Sequence, residues 1–587
     1  MYFTLANESA YFCGCTDISS AGMGFHVPGK MGGLWDPPLK LVERFDVVSG
    51  GGRVRPSALI VRSSGIEMEY DGFSIELMMP EDMLMLVRVK NEDNREVEVN
   101  FSIDPQPIWL SDFKTRHQLS RRHRQMSLNI PSLRRIYTLE TDASSLLEEH
   151  RLVRIGSRED FGISIRRKSR RKHKNLVECI ERTEKKHKLI SRRTVLETPD
   201  TQLADAFHWA KHSLSWLTHR QNGIGRGLTA GHCDYPWYFS IDFYYSLDAL
   251  LETGMCSVAK DSLMLFIKYA RLQGGRVPHE IVTNGIVYNK GDLEESAMLS
   301  TAILKYVEWT GDLRFAREHF TDAMASLEYV VSRKFTGPAI MEDAGRGGSV
   351  ELDTLCYFAE GVESLAALKK IAFENDSGVY SAEISSLNRA AGDAMKIVNS
   401  GMWIGEQCTY ANRLTSGVPE NPGFWTSIIP FVTRVASESR YRSFINSENG
   451  LKRLVGIDGL LIGSASVKTM AIQNGLMSLA ASQYHDTHTA LKFYSFNIGH
   501  AGEFMPGVVP EILNDATGCY LQAWSSAAVI HPLIGGILGI RPVDGKLKSG
   551  RKVGNTLNGL RINGIPFRGG TFDFEVLDGR VVSTSNE

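Results

Sequence analysis

The chain has 587 residues, 43% of them hydrophobic, which is more than one core usually carries, so two or three domains with ample burial are expected. Its 66 Lys and Arg nearly cancel its 67 Asp and Glu, which argues against a general polyanion binder, and no nucleic-acid partner is expected. Eight cysteines fall singly or as Cys13 and Cys15, with no CxxC pair, disulfide framework or zinc spacing, and read as reduced thiols.

The opening MYFTLANESAYF lacks a basic stretch ahead of an apolar one. No apolar run reaches the roughly 18 to 20 residues of a membrane helix. A cytoplasmic location and no membrane partner are therefore expected. From Met1 to about Thr194, short stretches such as Ser57–Val61, Phe73–Met78, Met85–Val89 and Val97–Ile103 alternate polar and apolar residues between Gly, Pro, Asn and Asp. Period two outweighs period 3.6 there, which predicts an N-terminal antiparallel β-sandwich over 1–196. The basic run Arg166–Lys174, followed by Lys185–Arg193, reads first as a solvated hairpin face and otherwise as a contact for a polyanion or an acidic partner.

Beyond Pro199 the pattern turns helical: 203–217, 244–251, 258–269, 295–309, 313–331, 351–372 and 382–398, with further helices around 424–435, 476–494 and 520–533. Ala206, Trp209, Ala210, Leu214 and Leu217 recur at the three-and-four spacing of one buried helix face. About ten or eleven candidates approach the twelve of a six-hairpin toroid, which predicts an all-α (α/α)6 barrel over 197–543. Its loops, rich in Trp, Tyr, Asp, Glu and Gly, are where binding residues belong. The tail, LRINGIPFRGGTFDFEVLDGRVV, carries NG, GG and DG turn signals and predicts a short C-terminal β appendage over 544–587.

Three segments carry chemistry. In Asp234–Leu251, Trp237 and four tyrosines surround Asp242 at the start of a helix; aromatic faces beside a carboxylate suit a sugar, and equally suit a core with a capping Asp. Gly274–Ala297 gathers Glu280, Asp292, Glu294 and Glu295, although carboxylates in a first helical turn are also favoured by the helix dipole alone. Gly507–Ala528 places Glu511 in a loop before an aromatic, amphipathic helix. Two acidic loops half a barrel apart could face each other across one cavity. Glycoside hydrolysis needs that: a protonated carboxyl for the leaving oxygen, and a carboxylate that activates water or attacks the anomeric carbon.

The second and third segments, with MEDAGRGGSVELDTLCYFA from Met341 to Ala359, resemble the amylo-α-1,6-glucosidase domain of glycogen debranching enzymes. More distantly they resemble the other (α/α)6 families of glucoamylases, processing α-glucosidases and mannosylglycerate hydrolases. The resemblance spans roughly Pro199 to Val543, specific at the motifs and faint between them. It implies an inverting glycoside hydrolase acting on an α-glucoside, an oligosaccharide or polysaccharide substrate, no cofactor and no metal. Glu511, followed by Thr517, Gly518, Gln522, Ala523, Trp524 and Ser525, matches the family's Glu ahead of GC..QAWS and is implied as general base. Asp242, after Pro236 and Trp237, is implied to hold the sugar in the innermost subsite. Asp343 and Glu351 match the acidic positions that line the cavity. For the general acid, the YNxxD pattern implies Asp292 after Tyr288 and Asn289, and the DLWEE pattern implies Glu295. Trp237, His279, Glu280, Tyr288 and Trp524 complete the expected substrate-binding set. Ile241 stands where the relatives carry an Arg, which removes a charge-assisted hydrogen bond to a hydroxyl, and a long glucanotransferase domain is absent. Such enzymes pack the first domain on the barrel rim, which makes a homodimer a candidate assembly.

Three rivals share the pattern. An inverting phosphorylase would replace the water with phosphate, which a carboxylate at Glu511 would repel. A sugar epimerase would use histidine bases such as His279, His485, His488 or His500. A non-catalytic carbohydrate-binding protein would bind without turnover.

Overall fold

The computed structural model describes residues 1–15, 22–109, 114–168, 175–221, 223–336, 348–374, 376 and 378–584. Up to Arg167 the described chain is strand and loop, with one short helical turn at Pro131–Leu133. The strands form an eight-stranded and two five-stranded sheets around a shared core that includes Phe45, Val87, Phe101 and Ile163. Strand Tyr11–Cys15 lies between two cores. Successive side chains leave a strand on opposite faces, so Phe12 enters the sheet core while Tyr11 and Cys13 enter the core of the helical half. Arg167, from the basic run, reaches Asp36 at 3.1 Å, a carboxylate only 2% exposed that also accepts from Tyr137 at 2.8 Å. Residues 169–174 of that run lie outside the described residues.

The segment expected as the second half of a basic hairpin is instead a helix, α1 (Leu176–Arg192). It buries only Cys179, Ile180, Thr183 and His187, too sparse an apolar stripe to show against its charged faces. The helical half then runs α2 (Thr201–Trp216), α3 (Ser240–Glu252), α4 (Cys256–Leu272), α5 (Glu294–Thr310), α6 (Leu313–Ser332) and α7 (Leu352–Ala372). It continues α8 (Ser381–Lys396), α9 (Ile429–Val432), α10 (Glu438–Asn446), α11 (Ala471–Gln483), α12 (Thr487–Gly499) and α13 (Ala523–His531). Helix α3 packs on α5, α5 on α7, α7 on α9, α9 on α11, α11 on α13, and α13 back on α3. Those contacts close a ring. Outside it, α4, α6, α8 and α12 pack on α3, α5, α7 and α11, and α2 on α13, while Tyr441 and Phe444 of α10 pack on Phe431 of α9.

Ring helices are buried nearly all round, so small residues set how closely they approach. At Gly361 of α7 an added Cβ would strike the Ala297 carbonyl of α5, and the Gly361 carbonyl accepts from Ser300 at 2.8 Å. Turns between helices are built by capping. Gly311, at φ +74°, ends α5, and the Asp312 carboxylate accepts from Phe315 N at 3.0 Å to start α6. The same device splits the stretch expected as one helix over 476–494: Asp486 accepts from Thr489 N at 3.0 Å and opens α12. Strand pairs within 199–543 are antiparallel.

The C-terminal strands Arg561–Phe567, Gly570–Leu577 and Arg580–Ser583 take a fourth partner, Val195–Glu197, from far upstream. This sheet sits against the ring: Trp309 of α5 donates to the Pro566 carbonyl at 2.9 Å. No helix among the described residues is long and apolar enough to cross a membrane.

Candidate active site

The carboxyl groups collect at the N-terminal ends of the ring helices. Strand Tyr238–Phe239, which leads into α3, pairs with Glu280–Ile281, and that strand pairs with Val287–Asn289. This small sheet brings the first two sequence segments together. Trp237, fully buried, donates Nε1 to Glu280 Oε1 at 2.6 Å. Asp242, in the first turn of α3 and 4% exposed, accepts from Gln522 Nε2 of the α13 approach at 2.7 Å.

Glu294 and Glu295 are the first two residues of α5, where the helix dipole favours carboxylates. Adjacent residues on a helix diverge by about 100°, and the pair separates accordingly. Glu295 is 1% exposed, with Oε1 at 2.7 Å from His279 Nδ1. Glu294 is partly open and faces Asp353 of α7. Burial, then the charges of Asp353, Glu295 and Asp292, push the Glu294 carboxyl well above the usual range. Burial also raises Asp353. Asp292 is buried, at 6% exposure.

Glu511 belongs to a loop that caps another ring helix: its carbonyl accepts from Ala471 N, the first residue of α11, at 3.0 Å. Its Oε2 accepts from Cys519 N at 2.8 Å. Burial pushes the carboxyl up to about 7, the Cys519 N–H opposes this, and the charge of Asp234 adds to it. Asp234 in turn is held by the first domain, accepting from both Phe25 N and His26 N at 2.8 Å. The loop that carries His26 and the segment that carries Trp109 supply an aromatic rim. Trp109 stacks on Trp237 at 5.5 Å and meets Tyr288 edge-on at 4.7 Å, and His26 lies 4.3 Å from Trp109.

Trp237, His279, Glu280, Tyr288 and Glu295 are thus joined through Phe239 and Trp109. Asp292 acts electrostatically on Glu294, and Asp242 and Glu511 are held by Gln522 and Cys519. Glu351 precedes α7, with Ser349 donating to it and Arg413 at 3.9 Å. Trp524, one residue into α13, is partly buried. Asp343 lies outside the described residues. Sequence reasoning gave Glu294 no role in the site and did not place Asp353, Asp234, His26 or Trp109 there; Glu294, Asp353 and Asp234 sat inside the quoted segments, whereas nothing local marked His26 and Trp109, which the first domain contributes. His500, a candidate epimerase base, is engaged by Asp458 and Glu503, each at 3.1 Å. Among the described residues no group of three or more His, Cys, Asp and Glu is placed to hold a metal ion.

No protein-family model matches the chain, and no curated protein matches its sequence. Solved structures do match its fold. A human-microbiome protein described as a kojibiose phosphorylase superposes with a TM-score of 0.63 at 9% identity, covering 99% of this chain and 93% of its own. A bacterial glucoamylase complexed with acarbose gives 0.63 at 10% identity, covering 91% and 93%. A GH78 rhamnosidase of Bacillus sp. GL1 gives 0.51 at 11% identity, covering 83% of this chain and 51% of its own. At such identities the likeness is one of fold.

Proposed function

We propose that the chain is an (α/α)6-barrel enzyme that cleaves an α-glucoside with inversion, with Glu294 as general acid and Glu511 as general base. One observation carries this reading. In the ring order α3, α5, α7, α9, α11, α13, α5 and α11 are diametrically opposed, and a carboxyl raised by burial stands at each N-terminal end, Glu294 at the start of α5 and Glu511 in the loop that caps α11. Two carboxyls with separated protonation are what acid–base cleavage requires. Glu294, kept protonated, gives its proton to the leaving glycosidic oxygen. Glu511, ionised above about pH 7, takes a proton from the water that attacks the anomeric carbon from the far face, so the configuration inverts. Asp242 accepts hydrogen bonds from sugar hydroxyls, and Trp109 and Tyr288 offer apolar faces. The motif around Glu511 supports an amylo-α-1,6-glucosidase-like substrate, a glycogen or maltodextrin branch or a small gluco-oligosaccharide. Asp292 and Glu295 are the alternative acids.

Phosphorolysis is the second reading. It is favoured by the match over nearly the whole chain to a protein described as a kojibiose phosphorylase. It is opposed by Glu511, which would repel phosphate. The test is sugar release from glycogen, maltose, isomaltose, panose, trehalose and kojibiose, with and without inorganic phosphate, with the first-formed anomer read by proton NMR. Inverted glucose released without phosphate is expected. Strict phosphate dependence gives the second reading, and a retained anomer removes Glu511 as base.

A further inference from the structure

The ring holds a second polar site at its other end. Along α3, Asp242 and Glu252 are ten residues apart, about 15 Å of helix, and Glu252 lines a cavity of about 520 Å³ that runs inside the ring from Tyr244, Met298 and Ile472 to the C-terminal ends of the helices. The Tyr245 and Tyr357 hydroxyls, 2.9 Å apart, stand between the two ends. Both rings line the cavity, while Glu294, Asp353 and Asp242 act electrostatically on Tyr245. The far wall comes from the segment after α13, including Arg541, Lys548 and Arg551.

The floor of this cavity is a charge-balanced cluster. Lys305 Nζ binds Asp248 at 2.7 Å, and His531 lies 2.8 Å from Glu252 Oε1 and 3.5 Å from Asp248. Gly535 makes the His531 contact possible, since a Cβ there would collide with the imidazole. On three residues that line the cavity, a buried atom has no hydrogen-bond partner among the described residues: Glu252 Oε2, Tyr244 Oη and Ser482 Oγ. Their residues are 2%, 4% and 3% exposed. Leaving such buried groups unpaired is costly.

We propose that this cavity is a second carbohydrate site, binding a neutral polyhydroxylated ligand of one or two sugar rings. The chemistry selects that class. Asp248, Glu252, Glu308 and Glu360 offset Lys305, Arg541, Lys548 and Arg551 in the lining, so no net charge favours an anion. An ammonium meets Lys305 and His531. An apolar ligand leaves all three orphaned atoms unpaired. A sugar hydroxyl donates to Glu252 and exchanges hydrogen bonds with Tyr244 and Ser482, and its CH faces lie on Tyr245, Tyr357 and Trp309. The volume is within the roughly 300–1,000 Å³ of small-molecule sites. The proposal does not depend on the catalytic assignment.

The test is methyl NMR of the full chain, with Met298 and Ile540 reporting the cavity and the Trp237 indole reporting the candidate active site. D-glucose and maltose are titrated, with Tris cation in a parallel arm. Saturable shifts of Met298 and Ile540 with either sugar are expected, unchanged in Trp237→Ala and weakened about fivefold or more in Tyr244→Phe and in Ser482→Ala. Glu252→Gln also breaks the His531 contact, so the two hydroxyl deletions, checked for an unchanged melting temperature, carry the test. The proposal is overturned if the sugars leave Met298 and Ile540 unmoved, if Tris alone shifts them, or if both deletions keep wild-type affinity.

Discussion

Glu295 Oε1 lies 2.7 Å from His279 Nδ1 inside the wall of the ring, while its neighbour Glu294 opens toward Asp353. The general acid is therefore expected at Glu294. Glu294→Gln is expected to lose about 10²- to 10⁴-fold in kcat/KM on maltose-type substrates, yet to keep most activity on glycosyl fluorides, whose leaving group needs no proton. Glu295→Gln, which removes a positioning contact, is expected to lower both substrates alike. If the fluoride is spared in Glu295→Gln and not in Glu294→Gln, the roles are exchanged.

The raised carboxyl of Glu511 makes a prediction in pH. A base works when ionised, so kcat/KM is expected to rise with pH through about 7, and the residual activity of Glu511→Gln to lack that limb. Stability moves the other way. Because the folded group holds its proton above its unfolded range, its burial costs nothing below about pH 4.5 and destabilises the fold as pH rises through about 7. Glu511→Gln is expected to gain on the order of 1–3 kcal/mol on wild type between pH 4.5 and 8. Thermal melts across that range check it; parallel curves would mean the carboxyl is not desolvated.

Asp242 accepts from Gln522 Nε2 at 2.7 Å. Asp242→Asn is expected to raise KM about tenfold or more, with the pH profile unmoved. A shifted pH limb would instead assign it a role in proton transfer.

The first domain reaches the site through Asp234, which grips Phe25 N and His26 N. Hydrogen bonds to a charged group contribute about 1.5–3 kcal/mol each. Asp234→Ala is expected to release the His26 loop and raise KM about tenfold, while the helical half melts as before. Trp109→Ala is expected to mimic the KM effect, and wild-type KM in both variants would exclude the first domain from substrate binding.

At the α5–α7 crossing, Gly361→Ala forces a methyl onto the Ala297 carbonyl. Overpacking of this kind costs about 1–3 kcal/mol, to be read as a lowered denaturation midpoint. An unchanged midpoint would mean the ring relaxes freely there.

The sequence by itself determined the order strand-rich, helical, strand-rich, because side-chain periodicity is a local property of the chain. It also marked the segments around Trp237, Glu280 and Glu511, whose carboxylates and aromatics stand out against an apolar background. It missed α1 and α10, whose buried stripes are too sparse to register, and it joined α11 to α12 because the Asp486 cap interrupts hydrophobicity for only a few residues. Tertiary structure alone decided which glutamate of the Glu294–Glu295 pair is closed in against His279 and which faces Asp353, since helix phase separates neighbours that are equivalent on paper. It alone brought Asp234, His26 and Trp109 together across some 200 residues, and set Asp248, Glu252, Lys305 and His531 around one floor. Such contacts follow from how the ring closes and what packs on it, and closure depends on every helix at once rather than on any segment alone.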